Sequence, residues 1–137
     1  MINSEELCPC CSGNLYSSCC KHFHEGSLPQ NALELMRSRY SAYALALVDY
    51  IIETTHPANS QYLDDKLSWR QEIALFSQSS IFHKLKILDF KENKSGATVI
   101  FTAYISQGDD DMTFTEKSYF EKINHRWLYK SGQVKKG

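Results

Sequence analysis

The hydrophobic period of this chain changes once, near Ser80, and does not change back. Upstream, apolar residues recur at helical spacing. Met36, Tyr40, Tyr43 and Leu47 fall on one face of a helix predicted over residues 32–47. Asn31 with Glu34, or Ser27 with Gln30, has the spacing of a capping box at its start. A short second helix is predicted over 50–55, capped by Asp49. It stops at His56-Pro57, because proline disfavours helix in the residue before it. A third, over 67–77, carries Leu67, Trp69, Ile73 and Phe76, and 58–66 reads as irregular.

Downstream the period is that of strands. Residues 81–90 read as one strand whose pairs Leu85/Ile87 and Leu88/Phe90 are out of phase, which a β-bulge explains. Residues 97–106 alternate cleanly, with Val99, Phe101, Ala103 and Ile105 on one face. A third strand over 112–123 places Met112, Phe114, Glu116, Ser118 and Phe120 together. Asn124-His125 turns into a last strand over 126–130, and 132–137 reads as a polar basic tail. Helices first and an antiparallel meander last predict an α+β fold, with the helices laid across one face of a curved sheet.

Ahead of both regions stands a cysteine segment. All five cysteines lie between Cys8 and Cys20. Cys8 and Cys10 are separated by one residue, Cys19 and Cys20 are adjacent, and eight residues intervene between the pairs. Two such pairs, joined by a reversal at Ser12-Gly13-Asn14, can converge on one tetrahedral ion. Thiolates suit zinc, and a four-thiolate shell leaves no open position, so the site is structural rather than catalytic. So short a segment buries too little apolar surface to fold unaided, and metal binding would drive its ordering. Cys8/Cys11 is an alternative CxxC pair, and His22 and His24 are reserve ligands. A disulfide and a redox-active thiol site are the competing readings. The predicted organisation is a zinc knuckle over 1–26, with residues 1–7 as its lead-in and a short linker over 26–29, and an α+β domain over 27–137.

Composition narrows the function classes. A net charge of −1 gives the chain no general attraction to nucleic acid or acidic membranes, although the knuckle and Lys130, Lys135 and Lys136 offer a weak basic alternative. No secretory signal or membrane-length apolar run is visible, so a cytoplasmic protein is expected. In that reducing compartment clustered cysteines favour metal over disulfide.

The run Cys8-Pro9-Cys10-Cys11-Ser12-Gly13, followed after the spacer by Cys19-Cys20, resembles the SEC-C zinc motif found at the end of SecA and in many small bacterial proteins. Cys11 stands where that motif usually has glycine. The similarity continues through Leu35-Met36-Arg37-Ser38-Arg39-Tyr40-Ser41-Ala42-Tyr43, Thr54-Thr55-His56-Pro57, Trp69, the stretch from Glu116 to Phe120, and Arg126-Trp127-Leu128-Tyr129. Over nearly its whole length the chain resembles the YchJ family of small bacterial SEC-C proteins. That resemblance implies a cone-like fold of the nuclear-transport-factor type and structural zinc held by Cys8, Cys10, Cys19 and Cys20. It also implies contact with a protein partner in a secretion or chaperone setting. Many members carry a second knuckle at the C-terminus; in this chain only the N-terminal one is expected, because no cysteine follows Cys20. The family brings no established activity.

The remaining candidates have competing roles. Arg37 and Arg39 suit either an anionic ligand or an ion pair with Glu116, Glu121 or Asp49. Glu116 is either a general base or half of a buried pair. His56 is either an acid–base group or a helix-end partner. Arg37, Tyr40, His56, Trp69, Glu116 and Trp127 form the candidate pocket, while Tyr40, Tyr43, Trp69, Trp127 and Tyr129 serve equally as plain core. Asp109 to Asp111 reads as a solvated hairpin tip. No phosphate loop, Ser-His-Asp set or HExxH motif is present. The expected function is a non-enzymatic, zinc-stabilised protein-interaction module with a scaffolding or ligand-binding cone, docking through Lys21, His22 and His24. The alternative is an enzyme or small-molecule binder that uses Glu116, His56 and Arg37.

Overall fold

Helix α2 (Ala32–Ala44) is the piece on which everything else rests. Asn31 caps it, its Oδ1 accepting from the Glu34 amide at 2.8 Å, while the Glu34 side chain reaches back to the Gln30 amide. The helix ends three residues earlier than its apolar pattern predicts. Ala46 takes a left-handed φ of 58°, and the Leu47 amide turns back to the Ala42 carbonyl. This computed structural model describes residues 5–136, so residues 1–4 of the expected lead-in, and Gly137, lie outside it.

A short helix α1 (Lys21–His24) closes the cysteine segment. Helix α3 (Val48–Glu53) follows α2 with Asp49 inside its first turn rather than at its cap. Helix α4 (Lys66–Ser79) starts at Asp65, whose carboxylate accepts from the Ser68 amide. Five strands then form one sheet: β1 (Ile81–Glu92), β2 (Gly96–Gln107), the two-residue β3 (Asp110–Asp111), β4 (Phe114–Ile123) and β5 (Arg126–Lys136). The order is β1-β2-β4-β5, antiparallel throughout, with β3 on β2. Strand β1 shifts register between Ile87 and Asp89, where the out-of-phase residues demand a bulge, and again between Phe82 and Lys84.

Strand β5 runs on to Lys136, so the polar tail expected over 132–137 is instead ladder-paired to β4 up to Lys136. Its side chains gave no hydrophobic signal because an edge strand is specified mainly by backbone pairing. Met112, grouped by period with β4, lies before the strand and is exposed.

Pairing puts Val99, Phe101, Ala103 and Ile105 on the same face as Phe114, Glu116, Ser118 and Phe120. That face meets α2 through Ala32, Leu35, Met36 and Tyr40, with Trp127 at the centre, 2% exposed. A second cluster, Ala42, Ile51, Ile52, Trp69 and Ile73, joins α2 to α3 and α4. The result is the expected architecture: helices packed on one face of a curved antiparallel sheet, with a cysteine knuckle at the N-terminus.

Candidate functional sites: a four-sulfur cluster and an aromatic cleft

The cysteine segment folds back on itself at Ser12-Gly13-Asn14. Gly13 has φ 90°, the Asn14 amide donates to Ser12 Oγ, and the Cys8 amide donates to the Asn14 carbonyl at 2.9 Å. Leu7 and Leu15 pair as an isolated antiparallel bridge. A 3₁₀ turn over Tyr16–Ser18 then delivers Cys19 and Cys20 to the first pair. The Sγ atoms of Cys8, Cys10, Cys19 and Cys20 all lie within 4.8 Å of one another. Cys10 and Cys19 sulfurs are 3.5 Å apart, Cys19 and Cys20 3.9 Å, and Ser12 Oγ lies 3.2 Å from Cys19 Sγ. All five thiols are free.

Cys11 lies outside this group. Its backbone is left-handed, φ 63°, which explains why glycine suits that position. Its exposed sulfur accepts from the Leu85 amide at 3.4 Å. His22 is exposed and stacks on Phe23, with ring centroids 4.3 Å apart. His24, expected on an outer rim, turns inward. Its Nε2 donates to the Ser38 carbonyl at 2.8 Å, so Nδ1 is the acceptor for the Tyr16 hydroxyl at 2.6 Å. Burial pulls the His24 imidazole below its ordinary pKa.

Protonation within the cluster is shared unequally. S–H groups of Cys20 and Cys8 hydrogen-bond to Cys10 and hold its thiol far below the ordinary range. The same bonds push Cys20 well above that range and Cys8 up to about 12. A thiophilic cation at the centre would let all four ionise, and the donor set fits one.

The knuckle is bolted to α2. Arg37 Nη1 donates to the Cys10 carbonyl at 2.8 Å, and Leu45 packs on the sulfur cluster. The Tyr50 hydroxyl and Ser38 Oγ are 2.6 Å apart, and the Tyr50 ring meets His24 edge-on. Arg37 is therefore a knuckle contact and not a pocket residue.

The second site is a cleft of about 680 Å³ between α2, α4 and the sheet. Of the six pocket candidates, Tyr40, Trp69 and Glu116 line it. Arg37, His56 and Trp127 do not. His56 accepts from the Ala58 amide through Nδ1 and donates to Glu121 through Nε2 at 2.7 Å, which fixes the 54–59 loop against the sheet. That bond, with help from Lys130, holds the Glu121 carboxyl below its ordinary pKa. Trp127 is central core.

Arg39, rather than Arg37, is the arginine that lines the cleft. Its Nη1 donates to the Ile51 carbonyl, Thr54 Oγ1 and Thr55 Oγ1, and its guanidinium lies 4.7 Å over the Tyr129 ring. Tyr129 in turn donates through its hydroxyl to Glu116 Oε2 at 2.9 Å, and Ser118 Oγ donates to the same oxygen. Burial pushes the Tyr129 hydroxyl above its ordinary pKa, and the Glu116 charge adds to the effect. Gly132 leaves room for this arrangement: a Cβ there would come within 2.5 Å of Glu116 and 2.6 Å of the Tyr129 hydroxyl.

A family model described as the YchJ middle NTF2-like domain matches residues 31–132. The chain belongs to the YchJ family. A UPF0225 protein of Actinobacillus succinogenes is 37% identical over 131 residues, spanning 93% of this chain and 82% of that protein. The solution structure of a SEC-C motif protein from Rhodopseudomonas palustris superposes with a TM-score of 0.80 at 34% identity, covering 92% of this chain and 96% of that one. A SEC-C motif protein from Psychrobacter arcticus gives 0.81 at 29% identity, covering 100% and 87%. An NTF-2-like protein of unknown function from Shewanella oneidensis, 17% identical over 74% of this chain and 93% of its own, shares the fold at 0.56. This YchJ-family chain has no helix, among the described residues, long and apolar enough to cross a membrane.

Proposed function

We propose that the N-terminal segment is a structural zinc knuckle held by Cys8, Cys10, Cys19 and Cys20, and that the protein is a non-enzymatic, cytoplasmic interaction module. The observation that carries this reading is the sulfur geometry. Zn–S bonds of about 2.3 Å in a tetrahedron set sulfur–sulfur edges at roughly 3.8 Å. Two of the sulfur pairs here are at 3.5 and 3.9 Å, and all four sulfurs lie within 4.8 Å of one another. Four thiolates complete the shell, so zinc would organise the knuckle without activating water. Ser12 would serve as an outer hydrogen-bond partner to Cys19. The division at residue 26 then separates a metal-ordered unit from a core-ordered one.

The partner surface we assign to the knuckle comprises exposed Leu7 and Leu15, side by side across their bridge, together with Lys21 and His22 of α1. Elemental analysis of freshly purified protein tests the metal. We expect one zinc per chain, retained in Cys11→Ser and lost in Cys19→Ser. Zinc retained in Cys19→Ser, or absent from the native protein, overturns the ligand assignment. Affinity capture with native and Cys19→Ser baits tests the partner: a partner held equally by both does not dock through the knuckle.

The cleft favours a second reading, in which the cone also binds a small molecule. A space of about 680 Å³ with a hydrogen-bonded carboxylate and aromatic walls has the size and make-up of a ligand site.

A further inference from the structure

The charged groups of the cleft are not equivalent, and the difference bears on which molecule fits. Arg39, Glu72 and Glu116 are the charged residues that line it. Glu72 is exposed at the mouth. Arg39 is 8% exposed, spends Nη1 on the Ile51 carbonyl and the Thr54 and Thr55 hydroxyls, and lays its guanidinium over the Tyr129 ring. A ligand carboxylate or phosphate would have to displace those bonds to reach Nη1.

Glu116 is in the opposite position. Among the described residues its hydrogen-bond donors are two neutral hydroxyls, Tyr129 and Ser118, and both bond to Oε2. None of the ion pairs among the described residues includes Glu116. A carboxylate facing an apolar chamber without a countercation is costly, and a cation arriving there offsets the cost. The walls reinforce the preference. Phe76, Phe82, Phe101 and Phe114 line the space, and aromatic ring faces attract cations electrostatically. Aromatic faces in this chain already take cations on the cleft's margins: Arg39 on Tyr129, and Lys66 5.3 Å over Trp69.

We propose that the cleft binds an organic cation, an ammonium group carried on an apolar body, with the ammonium paired to Glu116 and the body against the phenylalanine rings. This rests on the cleft being a small-molecule site and names the class of molecule.

Three matched probes test it: 3-phenylpropylammonium, 3-phenyl-1-propanol and 3-phenylpropanoate, titrated into the full chain and followed by amide shifts in ¹⁵N–¹H spectra. The expected result is ammonium tighter than alcohol by about tenfold and carboxylate weakest, with shifts centred on Phe101, Phe114 and Ser131. Glu116→Gln should lower ammonium affinity to that of the alcohol and leave alcohol affinity unchanged, while Glu72→Gln at the mouth keeps the native ranking. The ranking in the native protein decides the matter even if Glu116→Gln does not fold. Alcohol binding as tightly as ammonium at the same amides overturns the cation class and leaves the cleft as a ligand site. No shift at cleft amides with any probe overturns both.

Discussion

The knuckle and the cone are built from different materials. The buried centre of the knuckle is Cys8, Cys10, Tyr16 and Cys20, with Cys19 and Leu45 beside them; among these buried residues Tyr16 supplies the one aromatic ring. The centre of the cone is a continuous set of aliphatic and aromatic side chains from α2, β1, β2, β4 and β5. A cone of this kind gains its stability from area removed from water, at about 25 cal/mol per Å². The knuckle buries mostly polarisable, ionisable sulfur, which is favourable only when something neutralises the thiolates. One region is a hydrophobic solid and the other is a four-sulfur cluster wrapped in chain.

Removing the metal should break this contrast most sharply. Zinc contributes on the order of 10–16 kcal/mol to folding in finger-sized peptides. Chelation is expected to abolish hydrogen-exchange protection over 8–24 while amides of β2 and β4 stay protected. Simultaneous loss in both regions would mean that they fold as one unit.

The converse experiment acts on the cone. Trp127→Ala empties the centre of the core and should cost about 3–5 kcal/mol, read as a fall in the denaturant midpoint. Zinc content of the folded fraction should be unchanged if the knuckle is independent.

The joint between them should respond to pH. Burial depresses the His24 pKa from 6.5. The unfolded chain therefore takes up this proton at a higher pH than the native one. Stability from neutral His24 is complete above the unfolded pKa and is lost as pH falls through 6.5 toward the native value. Protonation also removes Nδ1 as the acceptor for Tyr16. Exchange at Tyr16 and His24 should accelerate below that pH before β2 is affected. His24→Gln should abolish the step.

The smallest effect is expected at the exposed Asp49–Arg70 pair on α3 and α4, 2.7 Å apart. Asp49→Asn should change stability by less than about 1 kcal/mol and leave both regions intact. A larger change would assign Asp49 a role in placing α3.

How much of this was legible in the sequence depended on how local the signal was. The Asn31 cap, the bulge in β1 and the shared face of Phe114, Glu116, Ser118 and Phe120 are all visible within a few residues. The pocket residues were harder. Arg37 and Arg39 are two apart on α2 and so point about 200° around it from each other. One meets the knuckle and the other the cleft, and nothing local says which. His56 is bound to Glu121, 65 residues away, and that pairing exists only once β4 and β5 lie beside the 54–59 loop.

The sequence by itself determined the order of elements, the concentration of thiols at one end and the family, because these rest on short-range spacing and composition. Tertiary structure alone decided that Cys11 stays outside the sulfur cluster, that His24 turns inward as a joint, and that Arg39 is tied down while Glu116 faces the open cleft. Each of these is settled by which distant backbone or hydroxyl groups arrive within hydrogen-bonding range, and periodicity along the chain carries no record of that.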